Sequence, residues 1–238
     1  MDSGPRRELF VVAVAGVVPI LLPSLLLHHY HQLLPALPVL AFVWLRAWQL
    51  RDSNRRSEHE PPLTTLGWAN RLTLLRGWLL AVCAGYVWPA QDEAVWIPAL
   101  CYTLAVLLDG IDGMVARRND QVTLLGTQLD TSMDALGLLV APGVAIMSGK
   151  LHVTYLAVSA AYYLFIGGLH WRQLHARETR PLRPSRWRRA LAGLQMAVVA
   201  IALWPVVPPL LSQTVGFIAM LPFLAGFWRD WLDVSARR

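Results

Sequence analysis

Four aspartates, Asp109, Asp112, Asp130 and Asp134, stand between apolar runs in the stretch LLDGIDGMVARRNDQVTLLGTQLDTSMDAL. The first two are three residues apart and the last two are four apart, so on helices each pair shares a face. A lone carboxylate at the centre of a membrane helix costs about 2.5–3.5 kcal/mol, and four packed together also repel. A divalent cation removes both penalties. Carboxylate oxygens are hard ligands that suit Mg²⁺ or Mn²⁺, and Mg²⁺ is commonly held by a few carboxylates together with substrate phosphates. Gly113 directly follows Asp112, and Gly126 precedes Asp130 by one helical turn. Glycine weakens a helix interior, but its missing side chain lets a substrate or a neighbouring helix approach closely. The pattern predicts one metal-loaded carboxylate cluster, not four separate snorkelling acids.

Bringing the two pairs together takes two antiparallel helices joined by a short turn containing Arg117 to Gln121, with the acids at shallow depth facing the cytoplasm. The rest of the chain supplies such helices. Its 238 residues are 55% hydrophobic and 15% charged, where a soluble domain carries about 25% charged residues. Spanning a bilayer takes about 20 mostly apolar residues. Eight stretches qualify: Leu9–Leu27, Leu33–Leu50, Leu72–Trp88, Ala94–Val115, Val122–Met147, Val153–Leu169, Ala190–Val207 and Leu210–Trp228.

The connections alternate in charge. Arg6 and Arg7, then Arg51, Arg55 and Arg56, then Arg117 and Arg118, then seven Arg between Trp171 and Arg189, then Arg229, Arg237 and Arg238 fall on one side. HHYHQ, PAQDE, the Lys150 turn and Pro205–Pro209 fall on the other. Basic loops mark the cytoplasmic face, so both termini are expected there. The fold class is thus an all-α integral membrane protein: a two-helix appendage over residues 1–50, a charged linker over 51–62 ending in Pro-Pro, and a six-helix domain over 63–238. TTLGWANRLT, after the linker, is expected to enter the membrane through an interfacial segment, with Trp68 in the headgroup zone.

The acidic stretch reads D-x2-D-G-x2-A-R-x8-G-x3-D-x3-D, with Asp109, Asp112, Gly113, Ala116, Arg117, Gly126, Asp130 and Asp134 at its fixed positions. It resembles the signature of the CDP-alcohol phosphotransferases, integral membrane enzymes of phospholipid synthesis with a six-span core. That resemblance covers roughly Leu63 to Trp228. It implies that Asp109, Asp112 and Asp130 coordinate two divalent ions, and that Asp134 is the general base and can also touch a metal. It implies further that Gly113, Ala116 and Gly126 shape the cytidine pocket and that Arg117 contacts the diphosphate. Upstream, NRLTLLR is similar to the family's N-x2-T-x2-R segment, so Asn70, Thr73 and Arg76 are expected to help hold the nucleotide. The implied reaction is attack of an acceptor hydroxyl on the β-phosphoryl group of a CDP-alcohol, with CMP leaving in line. A homodimer is implied as well.

The acceptor is less legible. SRWRRALAGLQM partly resembles the G-K-x2-T-x2-Q segment of the phosphatidylglycerolphosphate and cardiolipin synthase branch. Gln195 matches it, Arg189 stands where Lys is common, and Arg188 and Ala192 depart from it. With Arg186 and its neighbours available for bidentate phosphate contacts, the expected donor is CDP-diacylglycerol and the expected acceptor glycerol 3-phosphate. Serine, inositol phosphate, phosphatidylglycerol, or a soluble CDP-alcohol donor are the alternatives. The net charge of +6 sits in membrane-flanking clusters, so no nucleic-acid partner is expected. The resemblance to compact, bacteria-like members of the family implies CDP-diacylglycerol as donor and a bacterial inner membrane, and no cleavable signal peptide is expected because the first apolar run is long and ends in HHYH. Cys83 and Cys101 read as small buried side chains, and His28, His29 and His31 as an interfacial turn. An ion carrier would use the acids but leave the Gly and Ala-Arg positions unexplained. An inactive scaffold would not be expected to retain all four aspartates.

Overall fold

In a computed structural model the described residues are 30–88, 92–118, 122–182 and 185–235, together with Glu8, Val11, Gly16 and Val18. For Tyr30, Asp92, Glu93 and residues 112–118 only the backbone is described. Among these residues the chain is all-helical. Seven α-helices follow in order: α1 (Leu33–Gln49), α2 (Trp68–Gly85), α3 (Trp96–Arg118), α4 (Leu124–Met147), α5 (Leu156–Leu174), α6 (Arg186–Leu203) and α7 (Pro209–Val234). They coincide with the second to eighth apolar stretches. The first stretch, Leu9–Leu27, lies outside the described residues except for Val11, Gly16 and Val18. Three helical segments, Leu124–Met147, Val153–Leu174 and Pro209–Val234, are long and apolar enough to cross a membrane, and Leu33–Gln49 and Trp96–Ile111 are shorter apolar helices.

The chain forms two compact units, residues 1–144 and 145–238. In the first, α1 buries Ala36, Leu40, Val43 and Ala47, which fall on one stripe at helical spacing. Ala36 and Leu40 pack with Ala81 of α2, flanked by Trp78 and Val82. Gly16 lies against the Trp78 ring so closely that a Cβ there would stand 2.2 Å from it. α2 begins at Trp68, four residues before its apolar run, because Gly67 takes φ +78 and turns the chain into the helix. The Glu8 carboxylate accepts from Leu66 N at 3.0 Å and pairs with Arg71 at 3.2 Å, holding that entry. Trp68 is exposed, with the Arg71 guanidinium over its ring.

The 51–62 stretch has a linker's composition, but the fold uses it as a clasp. Asn54 is buried and its side-chain amide donates to the Thr65 carbonyl at 2.9 Å. The Arg55 carbonyl accepts from Leu124 N at 2.9 Å and so satisfies one of the free donors at the start of α4. Thr123 Oγ1 caps the same helix by accepting from Gly126 N at 3.0 Å.

The second unit is tied at one end by the chain's single lysine. Lys150 Nζ donates to the carbonyls of Trp204, Pro205 and Val207 at 3.1, 3.1 and 2.7 Å, closing the end of α6. Gly149 supplies the turn with φ +69, and Ser212 of α7 donates to the Lys150 carbonyl at 2.6 Å. Further along, Tyr155 Oη donates to Gln195 Oε1 at 2.6 Å and the Gln195 amide donates to the Ala219 carbonyl at 2.8 Å. Gly168 admits the Trp231 ring between α5 and α7. The outer face of α7, with Leu210, Leu211, Val215, Ile218 and Leu221, is exposed and apolar, a surface suited to lipid chains.

Candidate active site

Arg76 stands in the middle of α2 with only 2% of its side chain exposed. A guanidinium out of water needs anionic partners, and three aspartates from two other helices provide them. Arg76 Nη1 donates to Asp109 Oδ1 of α3 and, at 2.9 Å, to Asp130 Oδ1 of α4. Nη2 donates to Asp134 Oδ1 at 2.5 Å. The planar fork of Arg matches this task, since its donors are fixed in one plane. The acids come from positions one helical turn apart on α4, which is why both reach the same partner.

One oxygen from each of Asp109, Asp130 and Asp134 lies within 4.8 Å of the others, a spacing that can hold a metal ion. Three carboxylates set against one guanidinium leave two negative charges among the described residues. The carboxylates are partly open, with side-chain exposures of 32, 46 and 44%, whereas Arg76 is closed off behind them. A hard-oxygen donor set with surplus negative charge and an open side fits Mg²⁺ or Mn²⁺. Asp112 lies one helical turn along α3 from Asp109. Its side chain, like those of Ala116 and Arg117 and the surroundings of Gly113, lies outside the described residues.

The remaining nucleotide-side positions come together in the first unit. Asn70 and Thr73 are buried on successive turns of α2 below Arg76. Asn70 Nδ2 donates to the Leu66 carbonyl at 2.7 Å and to Thr123 Oγ1 at 3.3 Å, and Thr73 Oγ1 donates to the Ala69 carbonyl at 3.1 Å. A Cβ on Gly126 would lie 2.5 Å from Asn70 Oδ1. Of the two uses open to that glycine, close helix approach is therefore filled by Asn70. The expected nucleotide contacts Asn70 and Thr73 spend their described bonds on joining α2 to the start of α4 and on α2 itself.

Arg186 and Arg189, expected at the acceptor, are exposed in the first turn of α6. Ser185 caps that helix, accepting from Arg188 N at 3.3 Å. Positive side chains at a helix N-terminus oppose the dipole, a placement that an anion relieves. Beside them a cavity of about 480 Å³ is lined by Trp187, Arg188, Phe223, Phe227, Arg229 and Asp230. Asp230 pairs with Arg188 at 3.1 Å and lies 3.7 Å from Arg229. Gln195 is 1% exposed and spends both ends of its amide on Tyr155 and Ala219, inside the helix packing.

Two residues of this arrangement escaped the sequence reading. Arg46 donates to Ser132 Oγ at 3.2 Å, between the two acids of α4, and Asn54 lies 3.4 Å from the Asn70 amide. Arg46 carried little signal, because a basic side chain in the last turn of a helix is ordinary. Asn54 carried none.

A family model described as CDP-alcohol phosphatidyltransferase matches residues 66–233, more than half of the chain. Neither the search of curated proteins nor that of solved structures gave a match.

Proposed function

Because the chain belongs to the CDP-alcohol phosphatidyltransferase family, whose members move a phosphatidyl group from a CDP-alcohol to an alcohol, we propose that it acts on CDP-diacylglycerol and glycerol 3-phosphate, releasing CMP. The observation that supports this most is the convergence of Asp109, Asp130 and Asp134 on one buried arginine, with negative charge left over among the described residues. Asp109, Asp112 and Asp130 would hold two divalent ions, and Asp134 would share that contact. When bound, the ions neutralise charge on the attacking and leaving oxygens of an in-line displacement. Arg76 sets the spacing of the acids from behind.

Asp134 accepts the proton of the acceptor hydroxyl as its oxygen forms a bond to the β-phosphorus. The bond from that phosphorus to the CMP oxygen breaks on the opposite side. Arg117 binds the diphosphate, Gly113 and Ala116 leave room for the nucleotide, and Asn70, Thr73 and Gly126 stiffen the wall beneath it. Arg186 and Arg189 supply positive charge for the acceptor's phosphate, and Gln195 braces their helix. The reading carries with it a bacterial inner-membrane protein of eight spans, a six-helix domain over 63–238 with its site facing the cytoplasm, and a homodimer.

The test is CMP release by the purified protein from CDP-diacylglycerol with glycerol 3-phosphate, serine, inositol phosphate or phosphatidylglycerol, and from a CDP-choline-type donor with diacylglycerol. Fastest release with glycerol 3-phosphate is expected. A faster rival replaces the acceptor, and silence with every pairing removes the enzymatic reading.

A further inference from the structure

The family match begins at residue 66, yet residues before it touch the helices that carry Arg76 and two of the acids. Three contacts do so. Arg46 of α1 donates through Nε to Ser132 Oγ at 3.2 Å, and Ser132 lies between Asp130 and Asp134 on α4. Gly77, next to Arg76, is the second: a Cβ there would lie 2.7 Å from Met133 Sδ and 2.9 Å from both γ-carbons of Val43. Helices α1, α2 and α4 therefore meet at one point, immediately beside Arg76 and Asp134, with no spare volume. The third is the clasp, where the Arg55 carbonyl holds Leu124 N at the start of α4 and Asn54 reaches Asn70.

A metal site needs its ligands held to within about 0.2 Å. In lipid, apolar burial does little to fix how far one helix is rotated about its axis relative to the next, and close packing of small residues with interhelical hydrogen bonds does that work. The pair Asp130 and Asp134 depends on the rotation of α4. Arg46 grips α4 at the register between them, and Val43 of α1 and Met133 of α4 both close on the same point of α2 at Gly77. Trp44, the neighbour of Val43, points away and is 43% exposed. The two neighbours thus separate a site-facing side of α1 from an outward one.

We propose that α1 and the clasp are a positioning element for the carboxylate site, with Arg46 and Val43 as positioning residues that set its affinity for divalent cations. The inference rests on those carboxylates being the metal site. It makes the segment outside the family match a part of how the reaction centre is built.

The test uses the full-length protein, with Mn²⁺ binding read from the electron paramagnetic resonance of free Mn²⁺ and CMP release followed in parallel. Arg46→Gln and Ser132→Ala remove the same hydrogen bond from its two ends, the second by deleting a single atom. Each is expected to weaken Mn²⁺ binding about tenfold, the low end for groups that orient metal ligands. The Mn²⁺ concentration for half-maximal CMP release should rise by the same factor, with the rate at saturating Mn²⁺ within about twofold of the starting protein. The double variant should lose no more than either single one, Arg46→Lys should recover part of the loss, and Trp44→Ala should bind Mn²⁺ unchanged. Unaltered Mn²⁺ affinity in Ser132→Ala, or losses that multiply in the double variant, would overturn the proposal. Asp130→Asn separates the two layers: if it leaves Mn²⁺ binding intact, the carboxylate reading itself fails.

Discussion

Each unit of the protein buries a polar junction among apolar helices, and the two junctions are built differently. In the second unit Tyr155, Gln195 and the Ala219 carbonyl form a neutral chain whose described donors and acceptors are matched and almost wholly buried. In the first, Arg76 faces three acids that remain partly open, and among the described residues the charges do not cancel. A matched neutral network specifies packing and asks for nothing more. An unmatched charged one, held rigid on its closed side and open on the other, has a standing affinity for cations. Helix packing explains the first junction fully and leaves the charge of the second unexplained until a ligand is brought in.

The sharpest way to break this contrast is Asp130→Asn. It removes one ligand charge while keeping the shape, and CMP release should fall by about a thousandfold or more, roughly 4 kcal/mol of barrier. Retention within tenfold would make the acid a structural partner of Arg76 only. Next is Arg76→Met, which leaves three carboxylates facing one another. Breaking a buried pair costs about 3–5 kcal/mol, and the partial exposure of the acids puts the loss near the low end. Thermal unfolding should show a lower midpoint that added Mn²⁺ recovers more strongly than in the starting protein. Equal loss with and without Mn²⁺ would mean the acids do not form a cation site.

Gly126→Ala is of intermediate size. Its Cβ must displace the Asn70 side chain, and overpacking of this kind costs about 1–3 kcal/mol. Unfolding should register that loss. A raised KM for the CDP-alcohol at unchanged stability would instead give the glycine's space to the nucleotide. Smallest is Tyr155→Phe, which leaves one acceptor of Gln195 without its donor at a cost of about 1–2 kcal/mol. The midpoint should drop slightly, and CMP release per folded molecule should hold. A large loss of turnover there would erase the distinction between the two junctions.

Much of the first junction was legible in the sequence. The three- and four-residue spacings of the acids predicted shared helix faces, and α3 and α4 carry them. The division of labour behind the acids was not legible. NRLTLLR places Asn70, Thr73 and Arg76 on one side of a helix, but spacing along one helix does not say which distant helix it meets. Arg76 met the acids, and Asn70 met Thr123 and Gly126. The clasp was hidden for another reason. RDSNRRSEHEPP is charged and ends in Pro-Pro, the composition of a tether, and its order comes from Asn54 and Arg55 bonding to partners many residues away. Gln195 shows the same limit from the other side: a match to G-K-x2-T-x2-Q singled it out, but a motif does not say that its amide bonds to Tyr155 and Ala219.

The central claim is that the acids of α3 and α4 form a metal-dependent reaction centre in which Asp134 takes the acceptor's proton. Single-turnover CMP release measured against Mn²⁺ concentration, in the starting protein and in Asp134→Asn, tests it most directly. The account predicts release that rises with Mn²⁺ and saturates, and a drop of about a hundredfold or more at saturating Mn²⁺ in the variant. Release that ignores Mn²⁺, or an Asp134→Asn rate close to that of the starting protein, would contradict it.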